Sequence, residues 1–272
     1  MSEIHLKIVY HHGEAAHGRL DMYDAAVSLQ GFSRALAIST HLLLNDGEIR
    51  RRGNTAHGAR FVVQAPRQGS FEQLITVIFE HPELIGVGLV TNAFWDTIKW
   101  SWGKTMNLIH EPETSTVKRL AAKIEPRMGE LEEALELPLA SAHRPIRECE
   151  DVVITLKRQR LGSVIQLDKE TLRSVSLQTE SSPSAVVGNV TRYNILSGFG
   201  RLYDDGEEKT VAFKIAEQLP KGKTELLTWS LNEANRSSHS KLVFTVSTVK
   251  SAKGLVRRYI VHDVGRVLSP PG

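Results

Sequence analysis

The chain has few of the residues that the commoner kinds of protein chemistry need. A single cysteine, Cys149, in 272 residues rules out an intrachain disulfide or a thiolate metal cage and fits a reducing compartment. The longest apolar run, residues 84–95, stops at Asp96 and is too short to cross a bilayer. The opening MSEIHLKIVY lacks the basic and then apolar pattern of a secretory leader, so a cytoplasmic chain without membrane contact is expected. A phosphate-cradling loop is missing as well. Gly103-Lys104-Thr105 and Gly222-Lys223-Thr224 end like one, but Ile98 and Glu217 stand where its first glycine is required. With no HExxH motif and no Cys/His pairing, no cofactor is expected.

What is present is ordinary globular composition, 41% hydrophobic and 24% charged, and enough chain for two cores. The net charge of +3 is unevenly spread. Residues 184–268 hold 13 Lys+Arg and 8 Asp+Glu, which leaves 34 − 13 = 21 basic and 31 − 8 = 23 acidic residues elsewhere. A basic C-terminal third on a near-neutral body mildly favours a polyanion partner, although solvated surface lysines also account for an excess of this size.

Residues 4–10 alternate as a strand. Asp21 and Asp24 mark a helix start, and Ala25, Ala26, Leu29, Phe32, Leu36 and Leu43 recur at helical spacing until Asn45-Asp46-Gly47 ends the run. Gly31 inside this helix costs about 1 kcal/mol relative to alanine, which predicts close packing against a neighbour. Residues 60–65 and 71–79 read as strands joined across residues 66–69. Residues 82–107 read as a helix carrying Trp95, Trp100 and Trp102. Indoles concentrate at interface centres, so these three are the candidate homo-oligomer interface. The expected organisation is an N-terminal α+β domain over 1–110 and a charged helical connector over 111–150, punctuated by Pro126, Pro138 and Pro145. A C-terminal β domain over 151–272 follows, in which 151–156 and 164–167 form an approach to a barrel at 184–268.

Within the barrel, strands at 186–193, 200–203 and 210–215 are followed by an amphipathic helix over 223–235 and strands at 242–249 and 257–264. That β-β-β-α-β-β order is the chain order of a five-stranded OB-type barrel, a fold that binds more often than it catalyses. The spacing of Gly188, Val190, Asn194, Gly198, Phe199 and Gly200 resembles the opening of a cold-shock domain over about thirty residues. That resemblance implies single-stranded nucleic acid stacked on exposed aromatics. Phe199 matches a stacking position, whereas Arg192 and Arg201 stand where the family has aromatics. Thr210-Val211-Ala212-Phe213 keeps one ring of the second motif. The chain as a whole is also similar to uncharacterised bacterial proteins of a two-part layout, which implies no activity. The candidate site for nucleic acid or a partner protein is Arg192, Phe199, Arg201, Tyr203 and Lys214, with Lys250 and Lys253 in the last hairpin loop.

Other clusters carry less. His11, His12 and His17 could ligate a metal if a loop gathered them, which keeps a metal-dependent enzyme as the competing function class. Cys149 and His143 lack a nucleophile-and-base signature. Arg50-Arg51-Arg52 and the basic run at 157–160 could touch phosphates, although a charge run is usually a solvated face. The expectation is a non-catalytic binding or assembly protein whose barrel contacts nucleic acid or a partner.

Overall fold

The computed structural model describes residues 2–50, 54–64, 71–86, 88–158, 162–216, 219, 221–235, 241–252 and 254–267. The first strand, β1 (Ser2–His11), buries Ile4, Leu6, Ile8 and Tyr10 in alternation. Then comes α1 (Met22–Leu44), where the Asp21 carboxylate caps the helix by accepting from the Tyr23 and Asp24 amides. Strands β2 (Ala59–Val63) and β3 (Glu72–Phe79) pair antiparallel; the turn expected between them lies outside the described residues. The helix expected over 82–107 is shorter than its apolar pattern. A 3-10 turn covers Pro82–Leu84, and α2 begins at Val90 and runs to Met106.

Most of the segment expected to be a connector groups with the first unit, and Pro126–Glu130 groups with the barrel. The segment forms α3 (Ser115–Ile124), α4 (Met128–Ala142) and α5 (Arg144–Glu148). Pro138 lies inside α4, and Pro145 sits in the first turn of α5, where a missing N–H is harmless. Strands β4 (Val153–Arg158) and β5 (Gly162–Leu167) follow, and β4 pairs antiparallel with β1, placing Leu6 opposite Arg158 and Tyr10 opposite Ile154. Residues expected to approach the barrel thus complete a five-stranded antiparallel sheet of order β2-β3-β1-β4-β5. Alternation alone marked 151–156 as a strand; its partner lies some 140 positions away in sequence, which no local pattern reports. Helix α6 (Lys169–Val175) ends this unit with an Asp168–Thr171 capping box.

Gly31 behaves as its cost predicts. A β-carbon there would lie 2.3 Å from the Ala142 nitrogen and 2.5 Å from the Pro138 carbonyl oxygen, so α1 and α4 touch backbone to backbone. The Ser28 hydroxyl beside it donates to the Ala142 carbonyl at 2.7 Å. Phe32 and Leu36, on the same face of α1, are fully buried.

The rest of the chain forms a barrel. After the short β6 (Leu177–Thr179) come β7 (Ser184–Asn194), β8 (Phe199–Asp204), β9 (Lys209–Ile215), α7 (Lys221–Asn235), β10 (Leu242–Ser251) and β11 (Val256–Arg266). Pairing runs β7-β8-β9 antiparallel, β9 to β11 parallel, β11 to β10 and β10 back to β7 antiparallel, which closes five strands on themselves. Val190, Leu202, Phe213, Phe244 and Val261 fill the interior, and Leu227 of α7 joins that core. The Val190 amide donates to the Ser230 hydroxyl at 3.0 Å, tying the helix to the first barrel strand. By contact density the chain divides into Met1–Glu125 with Leu131–Ser176, and Pro126–Glu130 with Leu177–Gly272. The protein is α+β, with a closed mixed β-barrel in its C-terminal region. Among the described residues no helix is long and apolar enough to cross a membrane.

Candidate functional site

Alternation along β8 sends Leu202 into the barrel and turns Arg201 and Tyr203 outward, with Tyr203 40% exposed. A bulge in β7 between Val190 and Arg192 brings Arg192, itself exposed, directly opposite Arg201. Arg192, Arg201 and Tyr203 therefore share one face, as the strand period requires. Lys214 pairs with Phe199 across β9, its ammonium 5.5 Å from the ring centroid. Lys250 donates to Glu180 at 2.6 Å, and this bond holds the Glu180 carboxyl below the usual carboxylate range. Lys253 lies outside the described residues.

Phe199 departs from its expected role. It is 4% exposed, and a β-carbon on Gly129 would sit 3.6 Å from its ring and 3.6 Å from Ala212. Gly129, in the segment Pro126–Glu130, thus packs against Phe199 and Ala212. A residue seventy positions earlier in the chain, Gly129, lies against the Phe199 ring. The glycine carrying the cold-shock resemblance has a packing reason. A β-carbon at Gly188 would fall 1.8 Å from the Tyr203 carbonyl oxygen, so the close approach of β7 and β8 needs glycine there.

Sequence reading passed over the loop between β7 and β8. The Asn194 carboxamide oxygen accepts from the Leu196 amide at 3.0 Å and the Ser197 amide at 3.4 Å, an Asx-type turn. The Ser197 hydroxyl donates to Glu130 at 2.5 Å, and Glu130, 2% exposed, also pairs with Arg127 at 3.1 Å. This braced loop carries Ile195 at 71% and Leu196 at 94% exposure. The available signal was two adjacent branched aliphatics inside an Asn-to-Gly turn, where polar residues are usual. At the far end of β8, the Tyr259 hydroxyl donates to buried Asp204 at 2.6 Å; burial first, then the carboxylate, raises the Tyr259 pKa.

The tryptophans of α2 are not surface residues. Trp95, Trp100 and Trp102 are 4%, 1% and 0% exposed, and the Trp102 indole N–H donates to the Ser39 hydroxyl at 3.0 Å. Phe32 packs 6.0 Å from Trp102. Their interface role is corrected to a core role: α2 is buried on so many sides that its rings are spent inside the first unit.

His11 ends β1, while His12 and His17 flank a 3-10 turn beside a cleft of about 780 Å³. His12 has φ 66° and ψ 176°, a backbone conformation that side chains seldom adopt. Among the described residues no three His, Cys, Asp or Glu side chains come together so as to hold a metal ion.

Cys149 is exposed and His143 fully buried, so the two do not form a nucleophile and base. The His143 Nδ1–H donates to the Leu139 carbonyl at 2.7 Å, which leaves Nε2 to accept from the Thr171 hydroxyl at 2.9 Å. Burial lowers its pKa from 6.5 to about 4. As pH falls below 6.5, the unfolded chain takes up a proton that the folded chain refuses until about pH 4, so stability declines across that window. A shift of this size corresponds to roughly 3 kcal/mol. Urea midpoints at pH 7 and pH 4.5 should show His143→Gln losing less stability on acidification than the parent. Equal losses would remove His143 as the cause.

Fold and site together define a protein with a five-stranded mixed barrel following an all-antiparallel sheet covered by helices. The chain belongs to the family described as "Domain of unknown function (DUF7946)", which matches residues 6–176. That match ends at the last residue of the first unit, Ser176, and leaves the barrel outside it. No curated protein and no solved structure matches the chain.

Proposed function

We propose that the barrel is of the OB type and is a non-catalytic module that binds a partner protein through the tip of its β7–β8 loop. The OB assignment is supported by the closure order, the parallel β9–β11 pair and the helix between the third and fourth barrel strands. The observation that carries the binding reading is the exposure of Ile195 and Leu196 on a loop held by Asn194, Ser197 and Glu130. Burying such a side chain fully gains about 1.5–3 kcal/mol. A loop already fixed in shape loses little entropy on binding. The covered ring of Phe199 favours a protein over a stacked nucleic acid strand.

The test uses a photo-crosslinking residue at position 196 and, as control, at exposed Gly222, in cells that carry the protein natively. A protein captured from 196 and not from 222, and lost on Ile195→Asp, is the expected result. Absence of any 196-specific product would sink the reading. Single-stranded oligonucleotide binding is measured alongside, for the parent and for Arg192→Ala with Arg201→Ala. Salt-sensitive binding lost in the arginine variant would replace the protein partner by nucleic acid.

A further inference from the structure

A second cleft, of about 500 Å³, opens where α1, the segment before β2 and β2 itself meet. Its lining is cationic. Arg50, His57 and Arg60 face it, with Glu80 as the single carboxylate, and Ser33 and Thr55 add hydroxyl donors. Phe61, half-buried on β2, is among the lining residues.

Residues 55–58 of this lining are tightly held. The His57 amide donates to Nδ1 of His41 at 3.2 Å, and His41 is 2% exposed. Because that nitrogen accepts, the His41 proton sits on Nε2, which lies 3.4 Å from the Glu48 carboxylate. Asn45 grips the segment twice. Its Nδ2 donates to the carbonyls of His41 at 3.0 Å and His57 at 3.1 Å, which turns its Oδ1 toward His57 Nδ1 at 3.1 Å. His57 therefore donates from Nδ1 and keeps Nε2 for a ligand. The Glu80 amide donates to the Gly58 carbonyl at 3.0 Å, and Arg50 donates to the Thr55 carbonyl at 3.4 Å. Holding an imidazole in one tautomer through a carboxamide, beside two guanidinium groups, is costly in ordered polar groups. Packing alone does not require it.

We propose that this cleft binds a phosphate monoester, of the kind a mononucleotide carries. Two guanidinium groups against one carboxylate leave a net positive site. Guanidinium forks match the oxygens of a phosphate in a bidentate way. The hydroxyls of Ser33 and Thr55 supply further donors to the third oxygen.

Calorimetric titration of the full chain with adenosine 5′-monophosphate, inorganic phosphate and adenosine tests this. A 5′-phosphorylated oligonucleotide and its 5′-hydroxyl form distinguish a free nucleotide from a strand end. The phosphate-bearing probes should bind at least about tenfold more tightly than adenosine or the 5′-hydroxyl strand. Arg60→Gln and Arg50→Gln should each weaken binding about tenfold with an unchanged melting temperature. Ile195→Asp, in the barrel loop, should leave it untouched. No binding of any phosphate-bearing probe by the parent at low salt, or equal binding by the arginine variants, would overturn the proposal.

Discussion

Leu36→Ala is expected to lower the stability of the first unit by about 2–5 kcal/mol, the range for deleting a buried leucine and leaving a cavity. Leu36 is 0% exposed, one turn beyond Phe32, and that face of α1 meets the layer holding Trp102. The Gly31 contact with α4 blocks collapse of the helix into the vacated space, since α1 is already at backbone distance. This places the cost toward the upper end. Urea unfolding followed by tryptophan fluorescence measures it, because Trp95, Trp100 and Trp102 all report on this unit. Leu137→Ala, at a side chain 64% exposed, is the matched control and should shift the midpoint little. A Leu36 variant that melts with its parent would show that the buried face is wrongly assigned.

Gly188→Ala should have a comparable effect on the barrel, about 3 kcal/mol or more, the upper end for overpacking a closed core. The added methyl would sit 1.8 Å from the Tyr203 carbonyl oxygen, a backbone atom that no rotamer change can move aside. Relief requires β7 and β8 to separate where Gly188 pairs with Asp204. That would also disturb Asp204, which accepts from Tyr259 and from the Gly206 and Glu207 amides. Amide hydrogen exchange should show lost protection in β7 and β8, with β1 and β3 unchanged. Gly222→Ala, where a methyl meets nothing within 4 Å, should be neutral or slightly stabilising. Full protection retained in β7 and β8 would refute the argument.

Local chemistry was legible where a short window contains its own cause. The Asp21 cap, the run from Ala25 to Leu43 and the cost of Gly31 each depend on neighbours within a few turns, and each is found in place. The barrel strands were readable for the same reason, since alternation is a two-residue property. The site was less legible. Phe199 has the spacing of an exposed ring and the burial of a core one, because Gly129 lies over it. The tryptophans read as surface anchors because composition does not say how many sides of a helix are covered. The clamp of His41, Asn45 and His57 spans one helical turn and a loop. Nothing in the sequence shows that an imidazole at position 41 turns inward to accept a peptide N–H.

By itself the sequence determined an α+β protein with a β-β-β-α-β-β C-terminal region, no intrachain disulfide, and helix and strand faces set by periodicities of about 3.6 and 2 residues. Only the tertiary structure decided that β4 and β5 belong to the first sheet, that the barrel closes through a parallel pair, and that Gly129 lies against Phe199. The physical reason is range. Propensity, capping and alternation act over a few residues, whereas strand partners and covered faces come from burying apolar surface between segments far apart in the chain, and many pairings satisfy the same local pattern.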